Sequence, residues 1–222
     1  MKTGSLPGVR AGRPMCLGRM VGAILLSFLV LGLTGDRARA GGRVDSRLAP
    51  PKEERTAHPT LGDPKAPVTM MVFGDFQCPF SSRLVKTLKL LVKDQPRKVK
   101  VVWRDFPLAF HKEAKPAAVV GQEVFLQKGS SAFWAFTELV FANPRGLSEA
   151  ALLTFAGQVG AEVAKVRLAL GQAQGRASKA VERDMKDGAA AGVKGTPASF
   201  LFRDGTPLRN AKQLPGARQY PD

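Results

Sequence analysis

The chain has 222 residues, of which 34 are lysine or arginine and 18 are aspartate or glutamate, so its formal net charge is +16. A charge of this size can favour anionic surfaces or acidic partners. The basic residues, however, are spread along the chain, and no basic run is interleaved with aromatic residues. This distribution indicates solvated basic faces and argues against binding to nucleic acid.

The first 40 residues have the layout of a secretory signal peptide. Basic residues precede an apolar run at residues 21–33, and residues 38–40, Ala-Arg-Ala, offer a small-residue cleavage site. The competing interpretation is an uncleaved membrane anchor, but the apolar run is shorter than the roughly 18 residues that favour a spanning helix. We therefore predict cleavage after Ala40 and a periplasmic or secreted protein, with membrane contact only through an uncleaved signal.

Cleavage would leave Cys78 as the single cysteine, because Cys16 leaves with the signal. The remaining 182 residues carry 28 basic and 17 acidic side chains, a balance of +11. They suffice for one domain with a sizeable core. An unpaired thiol in an exported protein indicates either reactivity or pairing with another molecule.

Residues 41–67 are predicted to form a flexible linker, because they are rich in polar residues and contain five prolines. His58 lies in this stretch and has no partner at metal-ligand spacing, so a ligand role is not expected for it. The ordered domain is predicted over residues 68–222.

The domain begins with a strand, a helix and a second strand. Residues 68–73 are a continuous apolar and β-branched run, typical of a buried strand. From Pro79 apolar residues recur at helical spacing until Pro96, and residues 99–104 again have strand character. This order predicts a βαβ unit with parallel strands and a right-handed crossover.

Helical patterns follow, at residues 116–127, 131–142, 148–159, 161–170 and about 177–191. Strand character returns at residues 198–202, and Asp204-Gly205 predicts a hairpin turn toward a strand at residues 206–209. The aromatic residues Phe133, Trp134 and Phe136 are predicted to pack in the core rather than to stack on a ligand.

Cys78 is the first residue of the sequence Cys-Pro-Phe-Ser, between the first strand and the first helix. A thiol at a helix N-terminus faces unsatisfied N–H groups and the positive end of the helix dipole, and both favour the thiolate. The thiolate is the attacking species in disulfide exchange. We therefore predict a nucleophile; the alternative is an inert cysteine that packs as a small apolar residue.

A second motif, Gly195-Thr196-Pro197, directly precedes the strand at residues 198–202. Proline is permitted at the first position of a strand, and a cis peptide between Thr196 and Pro197 would let the backbone approach the thiol and pair with an extended substrate. Alone this motif is a weak signal that is also typical of a turn. Together with Cys-Pro-Phe after the first strand it becomes specific.

Three motifs in this order resemble the DsbA-like branch of the thioredoxin-fold thiol-disulfide oxidoreductases. They are residues 73–80 (FGDFQCPF), residues 104–108 (RDFPL) with His111, and residues 195–197 with Phe200. The resemblance covers roughly residues 60–208. It implies a thioredoxin-like α/β fold with a helical insert at about residues 113–191.

The resemblance also implies roles for single residues. Cys78 would be the nucleophile and Pro197 the cis-proline that faces it, while His111 would have a structural role near the insert. The implied contacts to a bound peptide come from Pro79, Phe80 and Thr196.

Two features depart from the family pattern. The resolving cysteine is replaced by Ser81, whose hydroxyl would hydrogen-bond the Cys78 thiolate as part of the catalytic set but cannot form a disulfide. Residues 205–220 show little sign of the terminal helix that covers one face of the sheet in this family. This helix is therefore predicted to be missing or truncated.

The main functional hypothesis is a monothiol exchange protein of the isomerase or reductase type, with cysteine-containing exported proteins or a small thiol as partners. One alternative is a redox-degenerate thioredoxin fold that binds polypeptide as a chaperone or adaptor. Another is a glutathione-linked transferase or glutaredoxin-like activity. Neither a metal-ligand cluster nor a phosphate-binding glycine loop is present in the sequence, so no cofactor is expected.

Overall fold

The structure of the protein, a computed structural model, describes residues 58–214 and 216–217. These residues belong to one compact unit, Pro50–Asp222. The predicted signal peptide at residues 1–40, including Cys16, and residues 41–57 of the predicted linker lie outside the described residues. Export and signal cleavage therefore stay predictions.

A five-stranded mixed sheet forms the centre of the fold, with the strand order β1-β3-β2-β4-β5. β2 and β3 are parallel and the other neighbouring strands are antiparallel. The parallel register places Gly74 opposite Asp105, so both strands end at the same edge of the sheet. In chain order the strands are β1 (Thr60–Leu61), β2 (Val68–Gly74), β3 (Val99–Asp105), β4 (Ala198–Arg203) and β5 (Lys212–Leu214).

The predicted strand-helix-strand unit is confirmed, since helix α1 (Pro79–Asp94) connects the parallel strands β2 and β3. Its apolar stripe, which includes Leu84 and Leu88, is buried, and its basic residues Arg83 and Lys86 are exposed. This is the pattern of a helix with one face on the core.

Part of the predicted linker is ordered, so the prediction of a flexible segment is wrong for residues 58–67. β1 pairs with β3, Thr60 lies opposite Val102, and Trp103 N donates to Pro59 O at 2.9 Å. Ala66 is buried. The proline content concealed this order, because proline is compatible with the edge of a sheet, where one backbone N–H needs no partner strand.

Between β3 and β4 the chain forms the predicted helical insert. Gly129 interrupts the longest helix with φ 77 and ψ −170, a left-handed conformation that favours glycine. The two helices predicted on either side of residue 129 correspond to its two halves. The helices are α2 (Ala114–Ala142), α3 (Glu149–Gln158), α4 (Val163–Gly171) and α5 (Arg176–Ala190). Within the described residues, none of the helices combines the length and apolar character that a bilayer crossing requires.

Aromatic side chains fill the core between the sheet and the insert. Phe133, Trp134 and Phe136 are 0%, 4% and 0% exposed, which confirms the prediction that they belong to the core. Phe76 contacts Trp103 and Phe136, with ring centroids 5.5 and 5.9 Å apart. Such pairs add about 0.5–1.5 kcal/mol each to the burial of the rings. Because Phe76 lies two residues before Cys78, its contacts with these rings anchor the loop that carries the cysteine.

β2 ends at a position that has no room for a side chain. A Cβ atom on Gly74 would lie 2.1 Å from the Trp103 ring. The ring is held in place, because its Nε1 donates a hydrogen bond to Asp105 Oδ1 at 2.8 Å. Glycine at residue 74 therefore allows β2 and β3 to end side by side over a large buried aromatic residue.

The C-terminal hairpin is longer than predicted. The turn is present, since Gly205 has φ 84 and Thr206 N donates to Arg203 O at 2.9 Å. The predicted strand at residues 206–209 is wrong: Leu208–Asn210 is a 3-10 helix and the strand is β5. Pro207 has no N–H for a ladder, so pairing resumes only beyond it. Of residues 205–220, in which the terminal helix is predicted to be missing or truncated, the structure describes 205–214 and 216–217, and these residues include the 3-10 helix and β5.

Candidate functional site

Cys78 lies at the position expected for a nucleophile, immediately before the first residue of α1. Its backbone is extended (φ −76, ψ 119), and its carbonyl accepts a helical hydrogen bond from Ser82 N at 3.1 Å. The Cys78 side chain makes no capping hydrogen bond to the first turn of α1. The thiol therefore lies at the end of α1 where the first backbone N–H groups of a helix lack partners within the helix.

The loop before β4 faces this thiol, as the resemblance implied. The Cys78 thiol donates to Thr196 O, with Sγ 3.3 Å from the carbonyl oxygen, although 118 residues separate the two in sequence. The peptide between Thr196 and Pro197 is cis. Pro197 is buried and Thr196 is half-buried, with a buried Oγ1 that has no hydrogen-bond partner among the described residues. The structure thus brings together Cys78, Thr196 and Pro197.

Ser81 occupies a buried position on the first turn of α1, but the hydrogen bond found at its hydroxyl differs from the expected one. Ser81 Oγ accepts from Asp75 N at 3.2 Å. Its exposed fraction is 0%. In the described part of the chain this serine therefore supports the backbone before the cysteine, and no hydrogen bond to the Cys78 sulfur is found.

Asp75 is the organising residue of the site, and the sequence analysis assigned it no role. Its Oδ1 accepts from Gln77 N at 2.7 Å and from Cys78 N at 3.1 Å, and its Oδ2 accepts from Leu108 N at 2.8 Å. His111 Nδ1 lies 2.8 Å from the same Oδ2. One buried carboxylate therefore joins the loop before α1 to the loop after β3.

A sequence signal for Asp75 existed. Aspartate a few residues before a helix is a frequent acceptor for the free N–H groups at that end. The loop after β3 is also tied down by Gln77, whose Oε1 accepts from Glu113 N at 2.6 Å. The contact with Asp75 Oδ2 thus fixes the position of the His111 ring, and the structural role predicted for His111 stays a prediction.

Two aromatic side chains near Cys78 in sequence or in the adjoining loop are exposed: Phe80 lies in the first turn of α1, and Phe110 lies in the loop after β3. Phe80 is 51% exposed, and the Arg83 guanidinium lies 5.0 Å from the centre of its ring. Phe110 is 76% exposed and packs edge-on against His111, with centroids 4.5 Å apart. Pro79 is exposed as well. Each of these three apolar side chains is available for contact with another molecule.

A second polar cluster lies at the end of β3. Arg104 donates through Nε to Asp184 Oδ1 at 2.6 Å and through Nη2 to Asp187 Oδ2 at 2.5 Å. Asp105 N donates to Asp184 Oδ2 at 2.9 Å. His58 Nδ1 lies 3.4 Å from Asp184 Oδ1. The cluster joins β3 to α5, and its members were absent from the predicted site.

Burial shifts the titration of this second cluster. Burial and the nearby carboxylate of Asp184 raise the pKa of Asp105 to about 7. Burial also raises the pKa of Asp184 to about 6, although the Arg104 guanidinium opposes the shift. Burial, together with the charge of Arg104, lowers the pKa of His58 to about 4. Among the described residues, no group of His, Cys, Asp and Glu is arranged to hold a metal ion.

The sheet, the helical insert and the thiol opposite a cis-proline loop define a thioredoxin-type protein. A family model described as "Thioredoxin" matches residues 54–212. The chain therefore belongs to the thioredoxin family, and the predicted thioredoxin-like fold is confirmed.

Individual relatives extend this result. BcfH of Salmonella enterica Typhimurium has a similar structure, with a TM-score of 0.64 and 21% identity over 74% of this chain and 70% of that one. The thiol-disulfide exchange protein alpha-DsbA2 of Wolbachia pipientis has a TM-score of 0.60 and 18% identity over 73% and 81% of the two chains. At these identities the likeness shows the shared DsbA-type fold.

A curated relative is much longer. The chain is 31% identical over 192 residues to a Na(+)/H(+) antiporter, NhaA 1 of Salinispora arenicola (strain CNS-205). The matched part is 82% of this chain but only 28% of that protein. The chain thus spans less than a third of the length of this relative.

Proposed function

We propose that this chain is an exported thiol-disulfide exchange protein that works with a single thiol, as an isomerase or a reductase. The observation that carries the proposal is the position of Cys78, at the start of α1 with its sulfur 3.3 Å from Thr196 O. The description of the similar Wolbachia protein as a thiol-disulfide exchange protein supports the same chemistry. The basic and apolar leader at residues 1–40 supports export.

The reaction begins with attack of the Cys78 thiolate on a substrate disulfide. A bond forms between Cys78 Sγ and one substrate sulfur, the substrate S–S bond breaks, and the second substrate sulfur leaves as a thiolate. Ser81 cannot supply the second thiol that would release the substrate. Release therefore needs a thiol from outside, either another cysteine of the substrate or a small thiol, and the protein is a poor autonomous oxidant.

In this proposal a bound polypeptide lies across the site. The backbone of Thr196 and Pro197 pairs with it, and the exposed side chains of Pro79 and Phe80 contact it. The polypeptide is an exported, cysteine-containing protein. This arrangement places a substrate disulfide next to Cys78 Sγ.

Trapping of mixed disulfides tests the proposal. Tagged full-length protein is expressed in the bacterial periplasm, cells are quenched with acid and an alkylating agent, and disulfide-linked partners are identified by mass spectrometry. We expect partners with the wild type and none with Cys78→Ala. The variant Ser81→Cys restores a second thiol and should clear the trapped species, since it can release the substrate itself. A wild type that yields no more disulfide-linked partners than Cys78→Ala would refute the proposal.

A second candidate function is polypeptide binding without redox chemistry, which the exposed rings of Phe80 and Phe110 favour. This candidate predicts that a reduced, unfolded polypeptide binds Cys78→Ala as well as the wild type. It also predicts that Phe80→Ser together with Phe110→Ser weakens binding. If binding disappears in Cys78→Ala, the exchange function alone stands.

A further inference from the structure

His111 is bound to the same carboxylate as the backbone of Cys78. Asp75 Oδ1 accepts from Cys78 N at 3.1 Å, and His111 Nδ1 lies 2.8 Å from Asp75 Oδ2. A carboxylate only accepts hydrogen bonds, so Nδ1 must carry the proton of this contact. In the neutral ring the other nitrogen, Nε2, then has a free lone pair. Nδ1 is bonded to Asp75, and no hydrogen bond to Nε2 is found within the described residues.

The imidazole is held in place and also reachable from solvent. Its side chain is 20% exposed, whereas that of Asp75 is 0% exposed. The exposed ring of Phe110 packs against it. A partly exposed imidazole whose orientation is set by a buried carboxylate is the arrangement in which histidine acts as a general acid or base.

The proposed monothiol reaction has a step that needs a base. The thiol that releases the substrate arrives protonated, and only its thiolate attacks a disulfide. Ser81 is buried and accepts a hydrogen bond from Asp75 N. The side chain of His111 is partly exposed, and the carboxylate of Asp75 joins it to the backbone of Cys78.

We propose that His111 Nε2 takes the proton of the incoming thiol and so acts as the catalytic base of substrate release, with Asp75 as the positioning residue; this inference rests on the proposed exchange function. The incoming sulfur, once deprotonated, forms a bond to the substrate sulfur. The bond between that sulfur and Cys78 breaks, and its electron pair stays on Cys78 Sγ as a thiolate. The proton remains on His111 until solvent removes it. In the reverse direction the protonated imidazole protonates the leaving thiolate.

The substitution His111→Asn separates this role from a structural one. The side-chain N–H₂ of asparagine can replace Nδ1–H as the donor to Asp75, but asparagine has no nitrogen that accepts a proton. His111→Ala removes both the donor to Asp75 and the nitrogen that accepts a proton. It also leaves a partly exposed space that free imidazole can enter. Lys112→Ala, at the exposed neighbouring residue, controls for a change in the loop outside the proposed machinery.

The measurement uses full-length mature protein carrying glutathione on Cys78 and follows release of that glutathione by excess reduced glutathione, with acid quench and mass spectrometry. General acid-base catalysis contributes about 100-fold or more, so we expect His111→Asn to slow release about 100-fold and Lys112→Ala to leave it within about twofold. Added imidazole should speed release by His111→Ala at least about tenfold. Alkylation of Cys78 by iodoacetamide, which needs no proton transfer, should keep its wild-type rate in His111→Asn.

The results separate this inference from the proposed function. Release by His111→Asn at the wild-type rate overturns the role of His111 and leaves the exchange function intact. A slow His111→Ala variant that imidazole does not accelerate also overturns it, because the residue would then act only by holding the loop. A wild type that forms no glutathione adduct overturns both proposals together.

Discussion

Two buried aspartates stand at the ends of neighbouring parallel strands, and the fold uses them in different ways. Asp75 directly follows β2 and Asp105 ends β3, and both are almost fully buried. Asp75 accepts hydrogen bonds from three backbone amides and contacts the His111 ring. Asp105 accepts from two side chains of the core, Trp103 Nε1 at 2.8 Å and Gln122 Nε2 at 2.6 Å.

The difference lies in where the donors come from. Backbone donors belong to loops, so Asp75 determines the path of the loop that carries Cys78 and of the loop that carries His111. Side-chain donors belong to the core, so Asp105 fixes the orientation of large buried groups. Asp105 also lies near the carboxylate of Asp184, which together with burial disfavours its charge. The same residue type at adjacent strand ends therefore organises the site in one case and the packing beneath it in the other.

The largest effect is expected from Asp75→Ala, which removes the acceptor from three buried or partly buried backbone N–H groups at once. Each buried donor left unpaired costs about 1–3 kcal/mol, and we expect a total loss of about 3–5 kcal/mol in the free energy of unfolding. Urea denaturation followed by tryptophan fluorescence measures it. The loop should also loosen, so that iodoacetamide reacts with Cys78 at a changed rate.

Two further variants control this experiment. Asp75→Asn keeps one oxygen as an acceptor and should lose roughly half as much stability. Asp94→Ala, at the exposed end of α1, should change it by no more than about 0.5 kcal/mol. If Asp75→Ala lowered the free energy of unfolding no more than Asp94→Ala does, the contrast between the two buried aspartates would be contradicted.

The next largest effect is expected where the two strand ends touch. In Gly74→Ala the added methyl group would meet the Trp103 ring, which the hydrogen bond to Asp105 holds in place. Overpacking of this kind costs about 1–3 kcal/mol, and the short distance points to the upper end of the range. Gly171→Ala is the matched control, because a Cβ there meets nothing within 4 Å. It should leave stability unchanged or raise it by up to about 1 kcal/mol; similar losses in both glycine variants would contradict the close approach at Trp103.

Much of this architecture could be predicted from the sequence, because local patterns encode it. The runs at residues 68–73 and 99–104 became β2 and β3 to within one residue, since continuous β-branched runs are typical of buried strands. The break at Gly129 was visible as the gap between two predicted helices. Cys78 and Thr196 could be paired only through the order of motifs, because periodicity carries no information on contacts 118 residues apart.

Other features had no local pattern. β1 contains two residues, too few to show any alternation, and its order depends on pairing with β3. The contacts of Arg104 with Asp184 and Asp187 span about 80 residues and join a strand to a helix. The number and source of the donors around Asp75 depend on how two loops meet, so the sequence could place this aspartate near Cys78 but could not reveal that it organises the site.

A smaller effect, which depends on pH, is expected from Asp105→Asn. The pKa of Asp105 is raised in the folded protein to about 7, whereas the unfolded group has an ordinary value. Its contribution to stability is therefore complete below the ordinary aspartate pKa of about 4 and is lost progressively as pH rises from there through about 7. Asparagine lacks this dependence, so the stability of the variant relative to the wild type should rise by about 1 kcal/mol from pH 6 to pH 8. Urea midpoints at several pH values measure the difference, and a flat profile would show that Asp105 is charged in the fold.

The smallest expected effect has the opposite sign and comes from His58→Ala. Burial and Arg104 lower the pKa of His58 to about 4 in the folded protein. Between this pH and the ordinary pKa of histidine, the unfolded chain binds a proton at His58 and the folded chain does not. The wild type therefore loses stability as pH falls from about 6.5 toward 4, and the variant does not. Relative to the wild type, the variant should gain on the order of 0.5 kcal/mol between pH 7 and pH 6. Opposite slopes for Asp105→Asn and His58→Ala would establish that burial of the two groups, rather than the net charge of the protein, controls their titration. Parallel slopes would mean that the whole chain responds to pH and that this cluster has no special part in it.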